Sequence, residues 1–222
     1  MKENFIHVCF VIDQSGSMFS SKEDVIGGFK SIIEEQRKVK DGSCSVSLYT
    51  FDDIVKEIYI GKDVNEVKDF EYVPHGCTAM NDGIGMAITN IGKWLNNMDE
   101  KDRPSKNLIV IMTDGMENMS KEYTLAQVRE MIKHQTDKYN WTFMYVGADI
   151  TTSSMADDLG IDVRSFSSKK NHFKNYATLN CATTAYRTAA PSACYAVMDS
   201  VLTQGCNDIT EEYETELGKK ID

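Results

Sequence analysis

Residues 5–17 read FIHVCFVIDQSGS, an almost continuous apolar run that ends in an aspartate and a loop of small polar residues. Such a run is typical of a parallel β-strand whose two faces are both covered by helices. A polar loop directly after such a strand lies at the sheet edge where open α/β folds bind ligands. The stretch therefore predicts the central strand of an α/β fold and one part of a binding site.

The chain around this strand alternates predicted strands with predicted helices as far as residue 167. Further strands are expected at 43–51, 55–60, 108–112, 142–146 and 162–166, the first two as a hairpin. Capping-box patterns predict helices that begin near Ser20 and Thr124, and a long apolar stripe predicts another from Met80. This order predicts a doubly wound, mostly parallel sheet with one antiparallel edge strand and helices on both faces.

The remaining segment, 168–222, contains no convincing strand. Apolar residues from Cys194 to Leu202 follow helical spacing behind Pro191. The segment is too short to bury a good core alone. We therefore expect an α/β domain over 1–167 and a helical C-terminal extension over 168–222 that packs on it or projects from it.

The charge of the chain narrows the classes of partner. Its 24 Lys and Arg against 34 Asp and Glu give a net charge of -10. Such a surface repels phosphate backbones and anionic headgroups, so nucleic acid and membrane are not expected as partners. No stretch approaches the roughly 20 apolar residues that span a bilayer. The first residues lack the cleavage pattern of a secretory signal, which predicts a cytoplasmic protein.

Oxygen-bearing side chains cluster where the predicted strands end. Asp13, Ser15 and Ser17 follow the first strand, Thr78 precedes the helix from Met80, and Asp114 follows the strand at 108–112. Two carboxylates with hydroxyls suit a hard cation, Mg²⁺ above all, while Mn²⁺ or Ca²⁺ can replace it. Two aspartates balance one divalent ion, so the ion stays electrophilic towards one more oxygen, from water or from a partner's carboxylate.

The same residues carry a family resemblance. The sequence DQSGS resembles the D-x-S-x-S signature of the von Willebrand factor A domain, and Thr78 and Asp114 stand where that family supplies its other two ligands. FVIDQSGSM, the TDGMEN loop and the later VGADI turn resemble small single-domain bacterial or phage members. The resemblance implies a Rossmann-like fold and a complete metal-ion-dependent adhesion site. It also implies a protein partner that supplies a Glu or Asp carboxylate.

Apolar side chains surround this constellation in the sequence. A partner-binding rim is predicted from Met18, Phe19, Met80, Met116 and Met119, although some of these side chains are expected to pack the loops onto the helices. Glu117 and Asn118 lie beside Asp114, and either a supporting role at the site or simple solvation of the loop fits them.

Two other functions compete with a Mg²⁺-dependent protein-interaction module. A metal-dependent phosphohydrolase would use Asp13, but the second acid that such enzymes need two residues later is Ser15 here. A P-loop, a dinucleotide fingerprint and a G-x-S-x-G elbow are all missing from the sequence. In a structural or assembly subunit, the metal would only hold the loops together. The sequence favours the non-catalytic module that binds an acidic residue.

Overall fold

The computed structural model describes residues 1–147, 150–161 and 172–189, together with 196–197 and 200. Its strands are β1 (Lys2–Asp13), β2 (Ser43–Phe51), β3 (Val55–Asp63), β4 (Pro104–Thr113) and β5 (Thr142–Gly147). Its helices are α1 (Lys22–Lys38), α2 (Met80–Asn96), α3 (Leu125–Tyr139), α4 (Ile150–Leu159) and α5 (His172–Thr188). The sheet order is β3-β2-β1-β4-β5, and β2–β3 is the one antiparallel pair of this sheet. The predicted fold class is confirmed.

The central strand β1 buries both of its faces, as its sequence predicts. Ile6, Val8 and Phe10 belong to one core layer, which also holds side chains of α1 and α5. Cys9 and Val11 belong to the opposite layer with side chains of α2, α3 and α4. All five are at most 1% exposed. Alternation along an extended chain places successive side chains on opposite faces, so a continuous apolar run needs helices on both sides.

The strand order places the predicted site. The chain leaves β1 towards β2 on one side, while β4 pairs with β1 on the other. The loops after β1 and β4 therefore lie side by side at the carboxyl edge of the sheet, where strand order reverses. A ligand crevice is expected at such a switch point.

One of the two predicted capping boxes forms. The Thr124 hydroxyl accepts a hydrogen bond from the Gln127 backbone N–H, and the Gln127 side chain accepts one from Thr124 N–H at 2.8 Å. The capping box predicted for Ser20 is wrong, because Gly16–Ser21 forms a 3₁₀ turn and α1 begins only at Lys22. The first residue of α1 therefore lies one residue beyond the position that the capping-box pattern predicts.

Helix α5 lies in the segment predicted as a helical extension. Its Ala182 and Tyr186 are buried in the core layer shared with α1, and Asn180 Nδ2 donates to Ser31 Oγ of α1 at 2.6 Å. The strand predicted at 162–166 and most of the region after Pro191 lie outside the described residues. The domain boundary at 167 stays a prediction. No helix in the part of the chain that the structure describes is long and apolar enough to cross a membrane.

Candidate metal centre

Asp13 is the last residue of β1, and its side chain is fully buried at the carboxyl edge of the sheet. Its Oδ1 accepts a hydrogen bond from Ser15 N–H at 2.7 Å, and its Oδ2 accepts one from the Thr113 hydroxyl at 2.6 Å. The Tyr72 hydroxyl donates to its backbone carbonyl. Both carboxylate oxygens are thereby oriented by neighbours on two strand ends.

The hydroxyls of the loop after β1 lead from Asp13 to Asp114. Ser15 Oγ lies 3.1 Å from Ser17 Oγ, and Ser17 Oγ donates to Asp114 Oδ1 at 2.8 Å. Ser15 is buried, whereas Ser17 is exposed. The loop after β1 and the loop after β4 therefore meet through side-chain oxygens, although the two residues in the second bond stand 97 positions apart in the sequence.

Thr78 approaches the same point from a third loop. A Cβ built on Gly115 would lie 3.0 Å from Thr78 Oγ1 and 3.1 Å from Asp13 Oδ2. Both oxygens therefore border the space that the missing side chain of Gly115 leaves open. The structure brings together all five residues that the sequence predicted as ligands.

The loop that carries Thr78 is held by a second pair of aspartates, at the turn between β2 and β3. Asp53 Oδ1 accepts from Cys77 N–H at 2.7 Å, and the Asp52 carbonyl accepts from Ala79 N–H at 2.8 Å. Gly76 has φ +71°, and a Cβ there would lie 2.8 Å from Asp53 Oδ2. Only glycine fits this turn, because the conformation is left-handed and the carboxylate occupies the space of a side chain.

The TDGMEN loop is tied to Thr78 and to the start of α2. Asn118 accepts from Thr78 N–H at 2.9 Å through its side chain and donates from its own N–H to the Thr78 carbonyl. Glu117 accepts from Asn81 N–H at 2.8 Å, and Asp82 accepts from three consecutive N–H groups at 121–123. Asn118 and Glu117 therefore support the site instead of only solvating the loop. Asp82, an acidic residue in the first turn of α2, was the sequence signal that could have indicated this supporting network.

The electrostatics of the centre are anionic. Among the described residues, no lysine, arginine or histidine forms an ion pair with Asp13 or Asp114. Burial raises the pKa of the Asp13 carboxyl, hydrogen bonds from Thr113 and Ser15 act against this shift, and the Asp114 carboxylate adds to it. The pKa of the buried Tyr145 is raised by burial and further by both aspartates.

This donor set fits a divalent cation with a preference for oxygen. Two carboxylates, one buried, face each other across three hydroxyls, and a cation would offset their repulsion and the cost of burial. The described part of the chain has no group of three or more His, Cys, Asp or Glu side chains suited to a metal. The site is thus built from hydroxyls with two carboxylates, a composition that suits Mg²⁺ better than Zn²⁺.

The predicted apolar rim divides into two groups. Phe19 and Met116 are 75% and 67% exposed beside the site, and Met119 is half-buried. Met18 and Met80 are only 3% and 0% exposed and belong to the two core layers. They cannot contact a docking partner, because each points inward from its helical turn. The predicted rim is therefore reduced to the exposed Phe19 and Met116 and the half-buried Met119.

Comparisons with known proteins agree with this architecture. A family model described as the von Willebrand factor type A domain matches residues 7–188. A search of curated proteins found no match. The family match begins within β1 and includes β2 to β5 and α5, so it covers most of the sheet and every loop of the candidate centre.

Solved structures with low sequence identity share the fold. A mutant of the PilB minor pilin from Streptococcus sanguinis matches with a TM-score of 0.58 at 13% identity, over 86% of this chain and 62% of that one. The vWF domain of the pilus tip protein Mfa5 from Porphyromonas gingivalis matches with a TM-score of 0.57 at 11% identity. That match covers 83% of this chain and 97% of the Mfa5 chain.

Proximal thread matrix protein 1 from the mussel byssus, solved with zinc in its metal-ion-dependent adhesion site, matches with a TM-score of 0.52 at 16% identity. That match covers 90% of this chain and 46% of the mussel chain. The chain thus spans about half to two thirds of the mussel protein and the pilin that it matches. The chain belongs to the von Willebrand factor type A domain family.

Proposed function

We propose that this protein is a Mg²⁺-dependent protein-interaction module that binds an acidic residue of a partner through its metal centre. One observation carries the proposal. Asp13 and Asp114 converge with three hydroxyls at the carboxyl edge of the sheet, and no cationic side chain of the described residues neutralises them. Members of this family are generally metal-dependent adhesion or interaction domains, which supports it.

The proposed ligands are Asp13, Ser15, Ser17, Thr78 and Asp114. Their two negative charges balance one divalent ion, so a bound ion keeps its affinity for one further oxygen. The metal supplies a Lewis-acidic position that a partner's Glu or Asp carboxylate can occupy. Mn²⁺ or Ca²⁺ can take the same donors. The mussel protein with zinc in its adhesion site supports metal binding by this fold.

The exposed side chains beside the centre support docking of a protein. Phe19 and Met116 present apolar surface next to Ser17 and Asp114. A central electrostatic contact with apolar contacts around it is common at protein interfaces, where aromatic residues and methionine are enriched. We place this interaction in the cytoplasm, as the sequence predicts.

Two rival functions are less well supported. A phosphohydrolase that uses Asp13 needs a general acid and a positive group for the phosphate. Ser15 stands where that acid is needed, and no described cation contacts either aspartate. We therefore propose a protein without catalytic activity. A purely structural role for the metal remains the rival that experiment must separate.

Calorimetric titration with MgCl₂ and capture of partners from the native host test the proposal together. The wild type, Asp13→Ala and the exposed control Asp99→Ala are compared, each with Mg²⁺ and with EDTA. Mg²⁺ binding and Mg²⁺-dependent capture should vanish in Asp13→Ala alone, while circular dichroism shows that its fold survives. Unfolding of the wild type on chelation would instead support the structural role, and capture that ignores EDTA would contradict the proposal.

A further inference from the structure

A groove of about 620 Å³ lies directly beside the metal centre, between β3 and residues 68–75. Gln14 lines its inner end and follows Asp13 in the sequence. The Gln14 side chain donates to the Val73 carbonyl at 2.9 Å, and His75 N–H donates to the Gln14 carbonyl at 2.9 Å. One wall of the groove is therefore the same segment that continues to Thr78, so the groove adjoins the candidate centre through Gln14 and His75.

The groove concentrates positive charge in an acidic protein. Lys56, Lys62 and Lys68 line it, against Asp69 and Glu71. We call it the lysine groove. Asp69 is already paired with Lys30 at 2.9 Å, outside the lining. The positive charge therefore exceeds the negative charge in the groove, although the whole chain carries -10.

The ammonium groups of these lysines are only weakly engaged within the described residues. Lys56 Nζ lies 4.0 Å from Asp52 Oδ2, at the outer limit of an ion pair, and that carboxylate also faces His75 at 3.3 Å. Lys62 Nζ lies over the Tyr59 ring at 5.3 Å from its centre. No carboxylate of the described part of the chain forms an ion pair with Lys62 or Lys68. Such cations can still engage the carboxylates of another molecule.

Apolar side chains in the groove add a second element of recognition. Ile58 and Val73 are 41% and 46% exposed, and Phe70 is half-buried against the core. A groove with an apolar lining and lysines along it suits a segment that carries both aliphatic and acidic residues. Lysines on an edge strand such as β3 also prevent edge-to-edge pairing of sheets. Protection of the sheet edge does not explain Lys68, which lies outside β3. It also does not explain why the groove lies next to Gln14 and the candidate metal centre.

We propose that the lysine groove binds the partner segment next to the metal-bound carboxylate, and that this segment is acidic, with at least one further Asp or Glu placed against the lysines. The inference rests on the proposed function, because the metal defines where the segment begins. Charge complementarity of this kind raises association rates and selects partners more than it adds raw affinity.

Fluorescence anisotropy with two short labelled peptides tests this inference. Both peptides have a central Glu. In the acidic peptide, alternating Asp and Val residues follow this Glu, and in the neutral peptide each of these Asp residues is replaced by Asn. The wild type is compared at low ionic strength with the groove variant Lys56→Glu/Lys62→Glu/Lys68→Glu. The control variant, Lys38→Glu/Lys101→Glu/Lys133→Glu, reverses the charge of three exposed lysines outside the groove. The triple Lys→Gln variant of the groove serves if reversal impairs folding.

With Mg²⁺, the wild type should prefer the acidic peptide by about tenfold or more, since several exposed charge pairs each contribute modestly. The groove variants should lose this preference but keep binding the neutral peptide, and the control variant should keep the preference. A preference that survives in the groove variants, or disappears equally in the control, overturns the inference while the proposed function stands. Peptide binding that is absent with Mg²⁺, or unchanged by EDTA and by Asp13→Ala, overturns the proposed function and the inference with it.

Discussion

The two ends of the central sheet bury charges of opposite sign and treat them differently. At the carboxyl edge, Asp13 is fully buried near Asp114, and no cation of the described residues pairs with them. At the amino edge, Lys106 and Arg187 are buried, at 6% and 7% exposure, and donate to backbone carbonyls at helix C-termini. One end is completed by the protein itself, whereas the other end holds the proposed cation site.

At the amino edge, the buried cations donate mainly to backbone carbonyls, and neither Lys106 nor Arg187 forms an ion pair within the described residues. Lys106 Nζ donates to the carbonyls of Tyr186 and Arg187 at 3.1 and 2.8 Å and to that of Ala189, at the end of α5. Arg187 Nη1 donates to the Gln36 carbonyl of α1 at 2.6 Å. The last carbonyls of a helix lack internal partners and carry partial negative charge, so cations are stable there. This end contributes to stability, whereas the carboxyl edge carries the proposed metal site.

The largest expected effect comes from Asp13→Asn. The change should lower Mg²⁺ affinity by about 100-fold or more, equal to about 3 kcal/mol, because a charged ligand is lost. The metal-free variant should be as stable as the wild type or more so, because the buried charge and its repulsion with Asp114 are removed. Calorimetry and urea unfolding measure the two effects, with Asp99→Asn as control. Undiminished affinity would show that the two ends do not differ as described.

Replacing Arg187 or Lys106 by Met should lower the free energy of unfolding by about 2–3 kcal/mol each. The buried carbonyls at the ends of α1 and α5 would lose their donors. Mg²⁺ affinity should not change, since both residues act at the amino edge. Urea unfolding and calorimetry check this, with the exposed Lys133→Met as the matched control. A loss of Mg²⁺ affinity at constant fold would mean that the two ends are coupled.

Asn118→Ala should reduce Mg²⁺ affinity by about tenfold, because residues that orient metal ligands typically contribute that much. Its side chain is the acceptor for Thr78 N–H. Asn118→Asp, which keeps an acceptor oxygen, should restore most of the affinity. Calorimetric titration of both variants measures this. Equal losses in the two variants would show that Asn118 does not act through Thr78.

The raised pKa of Asp13 predicts opposite pH dependences for folding and for metal binding. The metal-free fold holds the Asp13 proton more tightly than the unfolded chain does, so this group makes stability fall as pH rises from its unfolded pKa through its raised folded pKa. Mg²⁺ competes with that proton, so affinity should weaken by up to about tenfold per pH unit below the raised pKa. Urea unfolding at several mildly acidic pH values measures the stability, and titration with MgCl₂ at the same pH values measures the Mg²⁺ affinity. Asp13→Asn should remove both dependences, and their persistence would assign them to another group.

The smallest effects are expected at the rim. Phe19→Ala and Met116→Ala should change the free energy of unfolding by less than about 0.5 kcal/mol, because both side chains are largely exposed. Mg²⁺ affinity should stay the same, whereas binding of the acidic peptide should weaken. Fluorescence anisotropy measures peptide binding, and Tyr139→Ala, at an exposed position on α3, serves as the control. Unchanged peptide binding would exclude an apolar rim.

Much of this structure could be predicted because the signals are local. The apolar run in β1 predicts a strand buried on two faces, and the capping box at Thr124 forms as predicted. Predictions that needed tertiary information were less successful. Met18 and Met80 stand beside ligands in the sequence but point into the core, and the turn after β1 displaces the start of α1 beyond Ser20. Neighbourhood in sequence does not determine which way a side chain faces.

The sequence by itself determined where β1 and β4 end and which oxygen-rich side chains follow them, and the proposed class of cation rests on these residues. These follow from residue chemistry and from the period of extended chains, which involve only near neighbours. Tertiary structure alone decided the supports of the site and its adjoining groove. Asn118 binds the backbone of Thr78 across 40 residues, and Asp53 binds the backbone of Cys77. Lys56 and Lys68 line one groove together with Gln14. Such contacts depend on strand order, because pairing β1 with both β2 and β4 brings distant loops to one edge.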